Sequence, residues 1–122
     1  MSVDDIAEVQ RVITQYVEGY IHADAEALKG AFASDAVMNG YLEDRLIEGT
    51  PEVFIRNVGT APSLASKGIS PRYEVGEVEI RGKAAAVTIQ EYGFGGRNFT
   101  DYMHLLKRDG SWKIISKTFS TF

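Results

Sequence analysis

The chain has 122 residues, enough for one domain with one core, and its 44% hydrophobic and 25% charged residues are ordinary for a folded globular domain. Its formal net charge of -4 lacks the concentrated excess of Lys and Arg that a nucleic-acid surface needs, and the absence of cysteine excludes thiol catalysis, disulfides and Cys-based zinc sites. No apolar run approaches the roughly 18 residues of a membrane span, and the start MSVDDIAEV lacks the basic and apolar regions of a secretory signal, so a soluble cytoplasmic protein is expected.

Residues 3 to 21 carry helical periodicity. Ile6, Val9, Ile13, Tyr16, Val17 and Tyr20 recur at spacings of three and four, and acidic and polar residues fill the other side. Ser2 fits an N-cap, with Asp4 and Asp5 favourable near the positive end of the dipole. A second helix follows, capped by Asp24, with Leu28, Ala31 and Phe32 on its buried side. Ser34-Asp35 breaks that pattern. Ala36–Tyr41 reads as a short strand, with Leu46-Ile47 able to pair with it. Thr50-Pro51 predicts a third helix, a hydroxyl cap followed by proline at the first position, with Val53, Phe54 and Val58 facing inward. The stretch Ala61–Ser70, with Pro62, Ser63, Ser66 and Gly68, reads as an irregular connection long enough to act as a lid.

From Arg72 onward the chain predicts an antiparallel meander. Arg72–Ile80 is its first strand. The breaks Arg81-Gly82, Gly95-Gly96 and Asp109-Gly110 separate β-branched and aromatic runs, as hairpin turns do. Helices segregated from an antiparallel sheet give an α+β class in one domain, 1–122. Small residues (Ala84 to Ala86, Gly93, Gly95, Gly96) permit a sheet bent around the first helix, with an apolar hollow between them. In the last two strands both faces look apolar: Met103 and Leu105 alternate with Leu106, and Ile114 with Ile115. A homodimer through the outer sheet face would cover the second face; the alternative is a β-bulge that shifts the register mid-strand.

The segment GYIHADAEALKGAFASDAVMNG resembles the second-helix region of the NTF2-like superfamily, and the ending FTDYMHLLKRDGSWKIISKTF resembles its lumazine-binding branch, close to the SnoaL-like and ketosteroid isomerase-like branches. The resemblance implies a cystatin-like cone, a pocket between the helices and the concave sheet, and frequent homodimers. It does not choose among dehydratases, isomerases, hydrolases, cyclases and binding proteins.

Several residues are candidates for chemistry. Tyr102 and His104 share one strand face and Asp101 the other. His104 suits general acid–base work near neutral pH, and a strand-borne Asp101 in an apolar pocket would have a raised pKa; both are candidate catalytic groups. Ketosteroid isomerase, a standard instance of such a carboxyl, offers the comparison for Asp101. Tyr16 and Tyr20, four apart on the first helix, share a face and can donate to a ligand oxygen; the resemblance implies such a first-helix Tyr. With Phe54, Tyr102 and Trp112 they form the expected ligand-binding set. One of Gln90 and Glu91 should point inward, and a buried carboxylate there demands a partner, for which Lys117 is available. Asp35 fits a turn residue or a catalytic acid, and His22 a helix C-terminus. Two distant histidines give no metal site, and no phosphate-binding or nucleophile-elbow motif is present, so no cofactor is expected. The leading expectation is a pocket for a small, largely apolar or heterocyclic ligand. The alternatives are a cofactor-free lyase or isomerase using Asp101 or His104 as base, and a structural homodimer without small-molecule function.

Overall fold

The computed structural model describes residues 3–68 and 70–122, so the Ser2 cap lies outside the described residues. Helix α1 (Val3–Ile21) is amphipathic, and Val9, Ile13, Tyr16 and Val17 are completely buried against the sheet. Helix α2 (Ala25–Ala31) starts where the Asp24 carboxylate accepts a hydrogen bond from the Ala27 N–H at 3.1 Å. The two helices approach closely at Gly19, where an added Cβ would sit 3.3 Å from both Ala27 and Leu28.

Strand β1 (Phe32–Leu42) leaves α2 directly, so Phe32 is its first residue and Ser34-Asp35 lies within it. The apparent break at Ser34-Asp35 is a register irregularity between Phe32 and Val37 where β1 pairs with the last strand. Strand β2 (Arg45–Ile47) folds back onto β1, as the sequence suggests. Helix α3 (Glu52–Thr60) begins after Thr50-Pro51; the Thr50 hydroxyl accepts from the Glu52 N–H at 3.4 Å. Of the predicted connection Ala61–Ser70, residues 61–68 are irregular around a 3₁₀ turn, Ala65–Lys67, and are tied down by buried Leu64.

The predicted single strand Arg72–Ile80 is two short strands, β3 (Arg72–Val75) and β4 (Glu79–Arg81), each pairing with β5 (Ala84–Phe94). The interruption is a bulge: Gly76, Glu77 and Val78 stand opposite only Val87 and Thr88, and the Gly76 N–H donates to the Thr88 carbonyl at 2.8 Å. Strands β6 (Arg97–Arg108) and β7 (Ser111–Thr121) complete the meander. Gly95-Gly96 and Asp109-Gly110 all take positive φ, the backbone of two-residue type I′ hairpins. The sheet order is β2-β1-β7-β6-β5-β3, with β1 parallel to β7. The sheet curls around α1 without closing.

One of the two sequence explanations for the doubly apolar strands is visible. Leu105 pairs with Ile114 and His104 with Ser116, leaving Ile115 as the extra residue of a bulge. Ile114 is buried on the concave side, whereas Ile115 and Leu106 are half-buried and border a groove on the convex face. Among the described residues no helix is long and apolar enough to cross a membrane.

Candidate active site

A cavity of about 670 Å³ opens between α3, the β1–β2 hairpin and the concave sheet. That lies within the range of about 300–1,000 Å³ typical of small-molecule sites. Its apolar wall includes Met38, Val53, Phe54, Phe94, Phe99 and Phe119, and Tyr20 brings a hydroxyl.

Two buried charged residues line the inner end, Glu91 at 1% exposure and Lys117 at 4%. Strand alternation puts them there. Glu91 continues the inward series Ala85, Val87 and Ile89 on β5. Lys117 shares its inward face with Phe119, a parity set by the bulge at Ile115. Behind them on β6 sits Asp101, completely buried and outside the cavity lining. Its register partners are Ile89 and Phe119, so Glu91 and Lys117 are diagonal neighbours on the same face, within side-chain reach. The Tyr16 hydroxyl donates to Asp101 Oδ2 at 3.0 Å. Asp101 Oδ1 and Glu91 Oε2 are buried and have no hydrogen-bond partner among the described residues.

The electrostatics follow from this crowding. Burial, then the Asp101 carboxylate, pushes the Glu91 carboxyl well above its ordinary range; the Lys117 ammonium opposes the rise, and hydrogen bonding with Asp101 adds to it. Burial and the two carboxylates push the Tyr16 hydroxyl up as well, so it stays a donor. Tyr20 is pushed up to about 12 by burial and by Glu91 and Asp101, with Arg97 acting the other way. The Lys117 ammonium lies 4.1 Å from the Phe54 ring centroid and 5.1 Å from those of Tyr16 and Phe119. Aromatic faces thus supply part of the solvation that water cannot. Two carboxyls and one ammonium are balanced when one carboxyl keeps its proton. Glu91 is the carboxyl that the cavity reaches.

The candidates from the sequence divide accordingly. Tyr20 and Phe54 line the cavity, and Tyr16 and Asp101 stand directly behind it. His104 and Tyr102 do not join them: both are exposed on the convex face, Tyr102 at 52%, because they alternate with inward Asp101 and Met103. His104 therefore cannot act as acid or base in this cavity. Trp112 is buried away from the cavity, donating its indole N–H to Asp5 at 3.0 Å, while Lys107 reaches the same carboxylate oxygen at 2.9 Å. It anchors α1 to the sheet. Asp35 is exposed and pairs with Arg108 at 2.8 Å, and His22 lies 3.7 Å from Glu18 on the surface. Among the described residues no group of three or more His, Asp or Glu is placed to hold a metal. Glu91 and Lys117 were legible only as a possible pair, and the lining residues Met38, Phe94 and Phe119 carried no signal distinct from ordinary core.

The family model described as "Putative lumazine-binding" matches residues 4–120. No curated protein matches the chain. Among solved structures, an NTF2-like protein of unknown function from Methylobacillus flagellatus KT superposes with a TM-score of 0.88 at 27% identity, covering 100% of this chain and 95% of that one. Another, from Shewanella baltica OS155, gives 0.86 at 26% identity, covering 100% and 97%. A ketosteroid isomerase-like protein from Erwinia carotovora atroseptica gives 0.70 at 18% identity, covering 99% and 98%, a likeness of fold alone. The sequence match across the α+β cone and these superpositions agree: the chain belongs to the "Putative lumazine-binding" family of the NTF2-like superfamily.

Proposed function

We propose that the cavity binds a small, largely apolar carbonyl compound and that Glu91 moves a proton on its carbon skeleton without a cofactor. The observation that carries this is a buried carboxyl and a buried ammonium that both line the inner, largely apolar end of one cavity. An ionised Glu91 takes a proton from the carbon next to the carbonyl, and the electron pair moves onto the oxygen. The Lys117 ammonium and the Tyr20 hydroxyl face the cavity where that oxyanion develops. Glu91 then returns the proton, to the same carbon or to the far end of a conjugated system. Asp101 and Tyr16 lie behind the reacting groups: the Asp101 charge raises the Glu91 carboxyl, and the Tyr16 hydroxyl donates to Asp101. The named ketosteroid isomerase-like neighbour lends only its fold; the reading rests on this chain's own residues.

The test uses 3-cyclohexenone, whose conversion to the conjugated 2-cyclohexenone is followed by ultraviolet absorbance. Deuterium uptake next to the carbonyl is read in parallel by NMR. Glu91→Gln should lower the rate by about 100-fold or more, as loss of a general base does. Lys117→Met should lower it by about 100-fold through the lost oxyanion partner. A wild-type protein that neither isomerises the ketone nor exchanges its protons above buffer overturns the reading.

A second copy of the chain is proposed to cover the convex face. That face carries exposed Val37 and Tyr102 beside the groove formed by Ala84, Ala86, Leu106 and Ile115, and a two-fold pairing lets one patch serve both partners. Sedimentation should show a dimer that Leu106→Lys disperses; a monomeric wild type rejects the proposal.

A further inference from the structure

We infer that the molecule this cavity takes is an anionic amphiphile: an apolar body seated against the aromatic wall, with a carboxylate, sulfonate or phosphate group held at the outer end. This rests on the reading of the same cavity as a small-molecule site and adds the substrate class. The lining residues fall into two groups. Glu91, Lys117, Met38, Phe94 and Phe119 are buried at the inner end, whereas Arg45, Glu48, Lys67 and Arg97 are exposed at the outer end. Three of those four outer charges are cationic, in a chain whose net charge is -4. They come from three separate elements: β2, the 3₁₀ turn after α3, and the start of β6.

Their partners matter more than their number. Arg97 is fixed by the Glu43 carboxylate at 2.9 Å, which ties the β1–β2 turn to the β5–β6 turn at the cavity's edge. Arg45 and Lys67 have no ion pair among the described residues, and Lys117 has none at the inner end. Glu48 is the only acidic residue lining the outer end among the described residues. A ligand carboxylate or sulfonate there meets unpaired cations, and the Arg45 guanidinium offers a fork that matches two oxygens at once. A neutral ligand of the same shape gains nothing from them. A cationic one is repelled. The positive potential also draws anions toward the opening of an acidic protein, whose remaining surface repels them.

The experiment uses two fluorescent probes that share one ring system. 8-Anilinonaphthalene-1-sulfonate carries an anion, and N-phenyl-1-naphthylamine does not. Each is titrated against the wild type, Arg45→Ala/Lys67→Ala and the cavity-blocked Met38→Trp. The sulfonate probe should bind the wild type more tightly than the neutral one. The double variant should weaken it by about three- to tenfold, the range for two exposed charge contacts, and leave the neutral probe's affinity in place. Added salt should narrow the gap between the probes, and Met38→Trp should remove both. Equal affinities, a sulfonate preference that survives the double variant or the blocked cavity, or no binding of either probe overturns the inference. Turnover of 3-cyclohexenone is a separate readout. Isomerisation without a sulfonate preference removes the anionic head and keeps the proton transfer. The preference without isomerisation does the reverse.

Discussion

Replacing Glu91 with Gln should make the protein more stable at neutral pH and remove one component of its pH dependence. The carboxyl is 1% exposed, and burial and the neighbouring Asp101 charge raise its pKa well above the ordinary 4.5. Between 4.5 and that raised value the folded protein holds a proton that the unfolded chain has released. The stability Glu91 contributes is therefore fully present below 4.5 and is lost as pH rises through the folded-state value. One proton gives a slope of at most about 1.4 kcal/mol per pH unit. For a chain of this size that is roughly 4–6 °C of melting temperature per pH unit. Gln keeps the volume and the polar atoms but cannot ionise. Other carboxylates, such as Asp35 held low by its hydrogen bond to Arg108, bend the curve the opposite way. The informative quantity is thus the difference between wild type and variant, measured by calorimetry from pH 4 to pH 9. The two curves should meet at the acid end and separate as pH rises, with the variant the more stable. Parallel curves would show that Glu91 ionises as freely in the folded state as in the unfolded one, and the charge balance with Lys117 and Asp101 would be refuted.

Tyr16→Phe removes the donor at 3.0 Å from Asp101 and leaves both oxygens of a buried carboxylate without it; urea unfolding should show a loss of about 1.5–3 kcal/mol. Gly40→Ala places a Cβ 2.1 Å from the Phe119 carbonyl oxygen and 2.5 Å from its ring; overpacking of this kind costs about 1–3 kcal/mol, and the displaced ring should weaken binding of the neutral naphthylamine probe in the same samples. Asp35→Ala breaks only an exposed ion pair with Arg108; melting temperature and ketone isomerisation should both stay at wild-type values, and a fall in isomerisation alone would give Asp35 the catalytic role its position after the second helix suggests.

The fold was legible wherever local chemistry and periodicity agreed. The three- and four-residue spacing of Val9, Ile13, Tyr16 and Tyr20, the Asp24 cap and the Asp109-Gly110 turn each specify their element without help from the rest of the chain. Two departures arose where pairing partners decide. Phe32 continues a helical apolar stripe, yet it leads β1 because Ile114 on the far strand takes it as a partner. Arg72–Ile80 has the residues of one strand, yet one extra residue between Val75 and Glu79, opposite Ile89 and Ala86, divides it. The site was legible in part for the same reason. Alternation along β5 from Ala85 through Ile89 carries directly to Glu91, and alternation along β6 separates Asp101 from Tyr102 and His104. Along β7 the rule fails. Counting inward from Trp112 and Ile114 by twos gives Ser116 and Thr118, which would put Lys117 on the convex face. The extra residue at Ile115 reverses the parity, so that Lys117 and Phe119 turn inward and Thr118 outward. A single bulge thus brings the ammonium to the two carboxyls. Without it, Glu91 and Asp101 would share the concave face with no cation beside them, and even one ionised member would be a buried charge with no counter-charge.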